Sequence, residues 1–329
     1  MTTPIFAGLQ LLLAKLESSY GEDITPVAAD AIRARMFKAT VKHEMVERPN
    51  KRATFSANDH ALAGASVEFE VELDVKGPDA PTGEDPILAC EADVFLQACQ
   101  YVPTGTGTPV DKITYRPSSR AAQESLTLYW YEMAEGGTLQ LHSAVGCRFT
   151  KKLIIPSNGV AYWSFSGRGL YVGAPTVVET LPTPVYKNAR GHVPGRGCTV
   201  TYDDMSDVIT KLEIDFGMTI EDRRSIGGDY GYAGFTVLGG QPRIKLDPEA
   251  VTEAGYALGA AILAGTLSAF ALTVPTSDGG EWVFDVALAQ VVDVKLSGEG
   301  ILRHELDLAA VDNVGDDAIS YYCQRTAVV

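Results

Sequence analysis

The chain has few basic residues for its length. Its 27 lysines and arginines compare with 42 aspartates and glutamates, which leaves a formal net charge of −15 at pH 7. A surface that grips nucleic acid needs a basic patch or stripe, so this balance argues against nucleic-acid binding. It favours a surface that repels DNA, or simply a soluble protein.

Catalytic and metal-binding patterns are also lacking. The cysteines form no CxxC pair and are odd in number: Cys90, Cys99, Cys147, Cys198 and Cys323. We expect reduced thiols in a reducing compartment, several of them in the core. The five histidines are scattered, without metal-ligand spacing, and Ser166 lacks the flanking glycines of a nucleophile motif. We therefore predict that the protein is not an enzyme and has no metal site and no cofactor.

Long hydrophobic runs are nearly absent. Residues 254–274 carry no charge and are numerous enough to span a bilayer. They are rich in small residues, however, and contain Gly265, which is well placed to end a helix. The short apolar run at residues 5–14 lacks a basic region before it and a convincing cleavage site, so we do not predict a signal peptide. No membrane segment is expected.

One order of patterns occurs twice. Asp85-Pro86 and Asp247-Pro248 each begin a helical pattern, because aspartate is a good N-cap and proline is tolerated at the first helical position. Each predicted helix follows an extended run and precedes a strand, a Gly-Gly turn and further strands. The apolar helix faces are Leu88, Ala92, Phe95 and Cys99 in the first half, and Val251, Ala254, Leu258, Ala261 and Ile262 in the second.

We interpret this order as a tandem duplication of one α+β unit. The predicted fold is α+β, mostly β, with two β-barrel or sandwich-like units that each carry one packed helix. The first unit, with an N-terminal segment, comprises residues 1–180, a linker comprises 181–198, and the second unit comprises 199–329. Residues 9–17 fit a strand and a short helix equally well.

Residues 67–75 alternate strictly between apolar and acidic side chains. On a strand, this places the valines, Phe69 and Leu73 on one face and four carboxylates on the other: Glu68, Glu70, Glu72 and Asp74. Four carboxylates on one face repel each other unless water or cations surround them, so we predict a wet face. The corresponding strand of the second half carries Arg243 and Lys245 instead. These six residues are a candidate lumen or inter-unit charge face; the alternative is an ordinary solvated outer face.

Three polar stretches are predicted as loops. Residues 38–62 and 217–234 precede equivalent strands and exceed ordinary hairpin length. They fit a pair of arms that contact a neighbouring ring, or flexible surface loops. Residues 101–109 fit a mobile excursion and lack the lysine of a phosphate-binding loop.

The chain resembles the phage tail tube proteins, the two-repeat major tail proteins of long-tailed phages. The residues that carry the resemblance are the Lys-x-Glu-x-x-Tyr-Gly pattern at 15–21 with Pro26, the helix around 88–90, the Ser-Leu-Thr-Leu-Tyr-Trp-Tyr strand at 125–131, the close of the first repeat at 159–171, the Pro-Thr-Pro linker at 182–184, and the strand and loop at 212–217 and 223–226. These low-complexity motifs extend over nearly the whole chain. Residues 47–60 match no part of the pattern.

The resemblance implies a structural virion protein that polymerises into stacked rings and forms the phage tail tube. Three chains would form each pseudo-hexameric ring, and the negatively lined lumen would pass DNA during ejection without binding it specifically. The implied partners are other copies of the chain and other tail proteins: tape measure, terminator and distal tail. The implied location is the virion tail, after assembly in the host cytoplasm.

Two other classes stay open at this point. A tail terminator, baseplate hub or pyocin-type tube would share the fold. A secreted or surface β-sandwich that binds carbohydrate or a protein ligand would need an exposed aromatic platform. The three tryptophans, Trp130, Trp163 and Trp282, all lie in predicted strands with apolar neighbours, so we expect them in the core.

Overall fold

The computed structural model describes residues 5–48, 59–77, 89–107, 110–187, 197–203, 205, 208–252, 258–276, 280–298, 300–312, 315 and 318–325. These residues form nineteen strands and two short α-helices. The predicted α+β, mostly β class is therefore confirmed. The predicted helix start at Asp85 lies outside the described residues.

The first half of the chain contains ten strands and one helix. They are β1 (Ile5–Leu16), β2 (Ala31–Ile32), β3 (Met36–Glu47), β4 (His60–Asp74), α1 (Asp93–Ala98), β5 (Tyr101–Gly107), β6 (Val110–Pro117), β7 (Leu126–Ala134), β8 (Leu139–Pro156), β9 (Tyr162–Tyr171) and β10 (Thr176–Val178). The open choice at residues 9–17 is thus resolved as a strand.

The second half contains nine strands and one helix. They are β11 (Thr199–Tyr202), β12 (Ile209–Asp215), β13 (Thr219–Arg224), β14 (Tyr232–Leu238), β15 (Arg243–Pro248), α2 (Leu258–Ala264), β16 (Ser268–Pro275), β17 (Gly280–Ser297), β18 (Arg303–Val311) and β19 (Ser320–Arg325). Helix α2 ends at Gly265 as predicted: this glycine has φ +63°, and the next N–H donates to the carbonyl of Ala261 over 3.0 Å.

The strands pair in the same order in both halves. In the first half the order is β3-β4-β9-β8-β7-β1, and in the second it is β12-β15-β18-β17-β16-β11. All of these pairs are antiparallel. Each half has its helix in the same place, after β4 or β15 and before β7 or β16. The element order that occurs twice in the sequence therefore also occurs twice as an order of paired strands.

Strand pairing joins the two halves in two places. The end of β8 pairs with β12, and β19 pairs with β6, whose other neighbour is β5. Strand β8 pairs first with β7 and then with β12 along the same edge. A bulge around Gly146, which has φ +60°, changes the direction of β8 after its pairing with β7. Among the described residues the strand pairings do not form a closed ring, so the structure does not confirm a barrel.

One aromatic core fills the space between the halves. Trp163 and Trp282 are 0% exposed, their rings are 5.8 Å apart, and the ring of Tyr321 lies 5.6 Å from Trp163. Trp130 is 4% exposed, so all three tryptophans are core residues as predicted. Four of the five cysteines are buried, which confirms the expectation that several of them are core residues.

Several local predictions were wrong. The Asp247-Pro248 pair ends β15 and does not begin a helix; the Asp247 carboxylate instead accepts hydrogen bonds from the backbone N–H groups of Thr210 and Lys211. Residues 101–107 form a strand paired with β6 and not a mobile excursion. About half of each predicted arm is strand: residues 38–47 and 60–62 belong to the pair β3–β4, and residues 219–224 and 232–234 belong to the pair β13–β14.

Candidate assembly surface

The alternating stretch lies on β4 with the predicted faces. Its apolar side chains are at most 2% exposed: Val67, Phe69, Val71, Leu73 and Val75. The four acidic side chains lie on the opposite face and are half-buried or exposed. The alternation is thus a property of the folded strand, with a dry and a wet side.

The acidic face is not a bare row of like charges. Three ion pairs reach it from β3 and the residue just before it: Lys38–Glu70 at 3.4 Å, Lys42–Glu68 at 3.4 Å and Arg35–Glu72 at 3.7 Å. Arg168 of β9 also donates to Glu68 over 2.9 Å, and this hydrogen bond is the largest cause that lowers the pKa of Glu68. Exposed pairs add little stability, but they offset the repulsion between neighbouring carboxylates.

Arg243 and Lys245 lie on β15. When Leu246-Asp247 of β15 is aligned with Leu73-Asp74 of β4, they take the positions of Glu70 and Glu72. Arg243 lies 3.6 Å from Asp307 of β18. Strands β9, β8 and β12 separate β15 from β4, which amounts to about 19 Å at the usual strand spacing. Within one chain the structure therefore does not bring the two basic residues to the acidic face.

The clearest contact between the halves is the pairing of residues 152–156 of β8 with residues 211–215 of β12, which we call the inner joint. Leu153 lies opposite Ile214, and both are 0% exposed. Lys152 lies opposite Asp215, with its Nζ 2.6 Å from the carboxylate. The hydrogen bond to Asp215 is the largest cause that raises the pKa of Lys152. The joint thus combines a buried apolar pair with an ion pair on the wet face.

The inner joint is formed by β8 and β12, whose counterparts in the opposite halves are β17 and β3. In the described part of the chain, each of these two counterparts has an edge without a neighbouring strand. Strand β3, the counterpart of β12, pairs only with β4; we call its outer side the β3 edge. Residues 290–297 of β17, the counterpart of the end of β8, pair only with β18; we call their other side the β17 edge. Unpaired edges of this length invite pairing with another chain.

The hairpin β13–β14 of the second half packs on the sheet of the first half. Phe235 and Val237 on β14 are 0% and 1% exposed. The side chain of Arg148 donates to the carbonyl of Phe235 over 2.5 Å, and the N–H of Phe235 donates to the Tyr20 hydroxyl over 2.8 Å. A side chain at Gly234 would lie 2.4 Å from the Tyr20 ring, so this close approach requires glycine.

The Lys-x-Glu-x-x-Tyr-Gly motif holds that contact in place. The carboxylate of Glu17, which is 7% exposed, accepts hydrogen bonds from the N–H groups of Gly21 and Gly146 at 2.7 and 2.6 Å. It also accepts from the hydroxyl of Ser125 at 2.6 Å. Burial is the largest cause of the raised pKa of Tyr20. The motif therefore positions Tyr20 between the first sheet and the second hairpin.

Among the described residues, no such sheet lies beneath the outer part of the β3–β4 hairpin of the first half. Met45, Val46 and Leu62 are 54%, 55% and 48% exposed. The hairpin instead touches the tip of β13–β14, where Arg224 donates to Glu44 at 2.7 and 2.8 Å. This contact is the largest cause that lowers the pKa of Glu44 to about 2. The outer part of β3–β4 is thus an apolar surface without a cover in the described chain.

Sequence reasoning missed the inner joint. The joint exists because β8 continues to Pro156, beyond its pairing with β7. The run Leu-Ile-Ile at 153–155, after two lysines, was the available signal. The candidate residues on β4 and β15 were placed on the correct strands, but their partners on β3, β9 and β18 were not foreseen.

In the described part of the chain, no group of three or more histidine, cysteine or acidic side chains could hold a metal ion. None of the helices there is long and apolar enough to cross a membrane. No protein-family model matches the sequence, and no curated protein matches it.

Proposed function

We propose that the protein is a structural protein whose copies join edge to edge into rings, and that the rings stack into the tube of a phage tail. The observation that carries the proposal is the inner joint together with the β3 and β17 edges. One chain contains a completed junction, formed by β8 and β12. In the described residues it also contains two unpaired strand edges, on β3 and β17, that would form the same kind of junction with other copies.

The row of strands that includes the joint supports a closed ring. It contains eight strands in the order β3-β4-β9-β8-β12-β15-β18-β17, and it begins and ends with an open edge. Strands twist, so a row of this kind curves, and copies added at its ends form a ring when the rotation from one copy to the next closes. With two units per chain, three chains would supply six units, as in a pseudo-hexameric trimer.

The charge of the chain supports a conduit for DNA. A net charge of −15 per copy repels the phosphate backbone and disfavours sticking. The β4 face contributes less to this repulsion of DNA than four carboxylates alone would, because β3 and β9 place cations next to them. The proposed lumen would depend on the summed charge of the ring.

Electron microscopy of the purified protein tests the proposal directly. Rings with three-fold symmetry, or stacked rings forming tubes, are the expected result. Six chains per ring would show that the two halves are not equivalent in the assembly. Dispersed monomers at all concentrations would overturn the proposal and favour the β-sandwich binding module.

The outer part of β3–β4 is the proposed contact between stacked rings, because no described residue covers its apolar side chains. Replacing Met45, Val46 and Leu62 together by serine should leave ring formation intact and shorten the tubes. A matched control changes three other exposed apolar residues, Leu181, Val185 and Val177, which are 41%, 60% and 70% exposed. Tubes of normal length from the first variant would contradict this assignment.

A further inference from the structure

We propose that the inner joint and the joint between two chains carry ion pairs of opposite polarity. This polarity determines which strand edges pair with each other. Inside the chain Lys152 of β8 lies opposite Asp215 of β12. Between chains, Asp293 of β17 would lie opposite Lys38 on β3 of a second copy. This inference rests on the proposed self-assembly and adds to it a register and a selectivity.

The pairing already present in the chain determines the register on the β3 side. Asp215 lies opposite Arg243, and Arg243 lies opposite Ala309. In the first half, Lys38 lies opposite Glu70, and Glu70 lies opposite Ser166. Lys38 is therefore the counterpart of Asp215.

The β17 side follows in the same way. Leu153 lies opposite Trp163 and next to Lys152, and Trp163 lies opposite Leu73 of β4. In the second half, Val294 lies opposite Leu306, which lies opposite Leu246 of β15. Val294 therefore corresponds to Leu153. Asp293 lies opposite Asp307 just as Lys152 lies opposite Ser164, so Asp293 corresponds to Lys152; the bulge of β17 lies before this pair, between 291 and 293.

Burial at the two edges agrees with this register. At the inner joint Leu153 and Ile214 are fully buried. Their counterparts, Val294 and Phe37, are only half-buried. A strand placed across the β17 edge in this register would bring Phe37 of the second copy against Val294. Both side chains would then be buried, as Leu153 and Ile214 are at the inner joint.

The polarity also disfavours two alternative pairings of strand edges between copies. The end of β8 pairing with β3 of another copy would place Lys152 opposite Lys38. The β17 edge pairing with β12 of another copy would place Asp293 opposite Asp215. Like charges directly opposite each other on a sheet are destabilising, whereas opposite charges are stabilising. First and second halves therefore alternate around the ring.

Charge reversal tests the pair. Asp293→Lys alone and Lys38→Asp alone should each raise the protein concentration needed for half-assembly by roughly tenfold, measured by sedimentation velocity. The double variant should return this concentration to within about twofold of the wild type. Glu179→Lys, the same charge change at an exposed residue remote from both edges, should change nothing.

Selectivity has its own readout. The double variant gives both joints one polarity, so it should assemble tightly but into rings of mixed size in electron micrographs. Adding Lys152→Asp and Asp215→Lys restores opposite polarities and should restore uniform rings. Uniform rings from the double variant would overturn the selectivity.

A disulfide tests the register without relying on charge. In a Cys198→Ser background, where the four remaining cysteines are buried, Lys38→Cys with Asp293→Cys should oxidise to covalent rings, because directly opposite residues are within disulfide reach. Lys38→Cys with Lys295→Cys, two residues away, should not. Cross-linking only in this second pair would overturn the register while leaving the proposed function standing, whereas a wild type that forms no rings would remove both.

Discussion

The inner joint and the two open edges are the same structural element with and without its neighbour. Ile155 at the joint is 6% exposed, whereas its counterpart Leu296 on the β17 edge is 59% exposed. The apolar character of the strands is similar in the two places. The comparison teaches that what distinguishes core from surface in this chain is the presence of a partner strand.

The largest expected difference between joint and edge concerns apolar packing. Leu153→Ala should lower the free energy of unfolding by about 2–5 kcal/mol, because it leaves a cavity in a closed core. Leu296→Ala is the same substitution on an open edge and should cost about 0.5 kcal/mol or less in the monomer. Urea denaturation below the assembly concentration measures both. Equal losses would show that the β17 edge is covered within one chain.

The docked hairpin gives the next effect. Tyr20→Phe removes the acceptor for the N–H of Phe235, a residue that is 0% exposed. We expect a loss of about 1–3 kcal/mol, because the donor is left buried and unpaired. Tyr129→Phe removes an exposed hydrogen bond to Asp23 and is the matched control. If the two variants lose the same stability, the Tyr20 contact does not hold the hairpin.

Lys151 next to the joint marks a difference between the two halves, because its counterpart in the second half is the apolar Val291. The Lys151 Nζ lies 2.5 Å from the Tyr321 hydroxyl and 2.9 Å from the centre of the Tyr101 ring. Burial lowers the pKa of this amine well below its usual value.

The depressed pKa gives Lys151 a pH signature. Between the folded pKa and the unfolded value near 10.4, the unfolded chain binds a proton that the folded chain does not. Stability should therefore rise with pH in that window, by at most about 1.4 kcal/mol per pH unit. Lys151→Met removes this contribution, so its stability curve should rise less steeply from pH 7.5 to 9.5 in urea denaturation. Parallel curves would show that the amine is charged in the folded protein.

The smallest effect concerns the ion pairs. Lys152→Met breaks the 2.6 Å pair at the joint, and with a side chain that is 47% exposed the loss should be about 1 kcal/mol or less. Lys38→Met breaks the 3.4 Å pair with Glu70, where both side chains are more than half exposed, and should cost almost nothing in the monomer. Both losses should shrink in 1 M salt. A larger loss at Lys38 would reverse the comparison.

Local patterns predicted much of the strand content and the faces of β4, because alternation with a period of two needs only the residues of one strand. They also predicted the end of α2 at Gly265. The Asp-Pro signal failed at Asp247, since its carboxylate finds backbone donors on β12 before any helix begins. Residues 38–62 looked like a loop because the stretch is polar, and its apolar residues Met45, Val46 and Leu62 are about half exposed.

By itself the sequence determined the α+β class, the repeated order of elements and the residues of the β4 face, since propensity and alternation are local properties. The tertiary structure decided the inner joint, the cations beside the acidic face and the seating of β14 on Tyr20. Each of these unites residues between about 30 and 215 positions apart. Which strand pairs with which depends on the geometry of the whole sheet, and a linear pattern does not encode it.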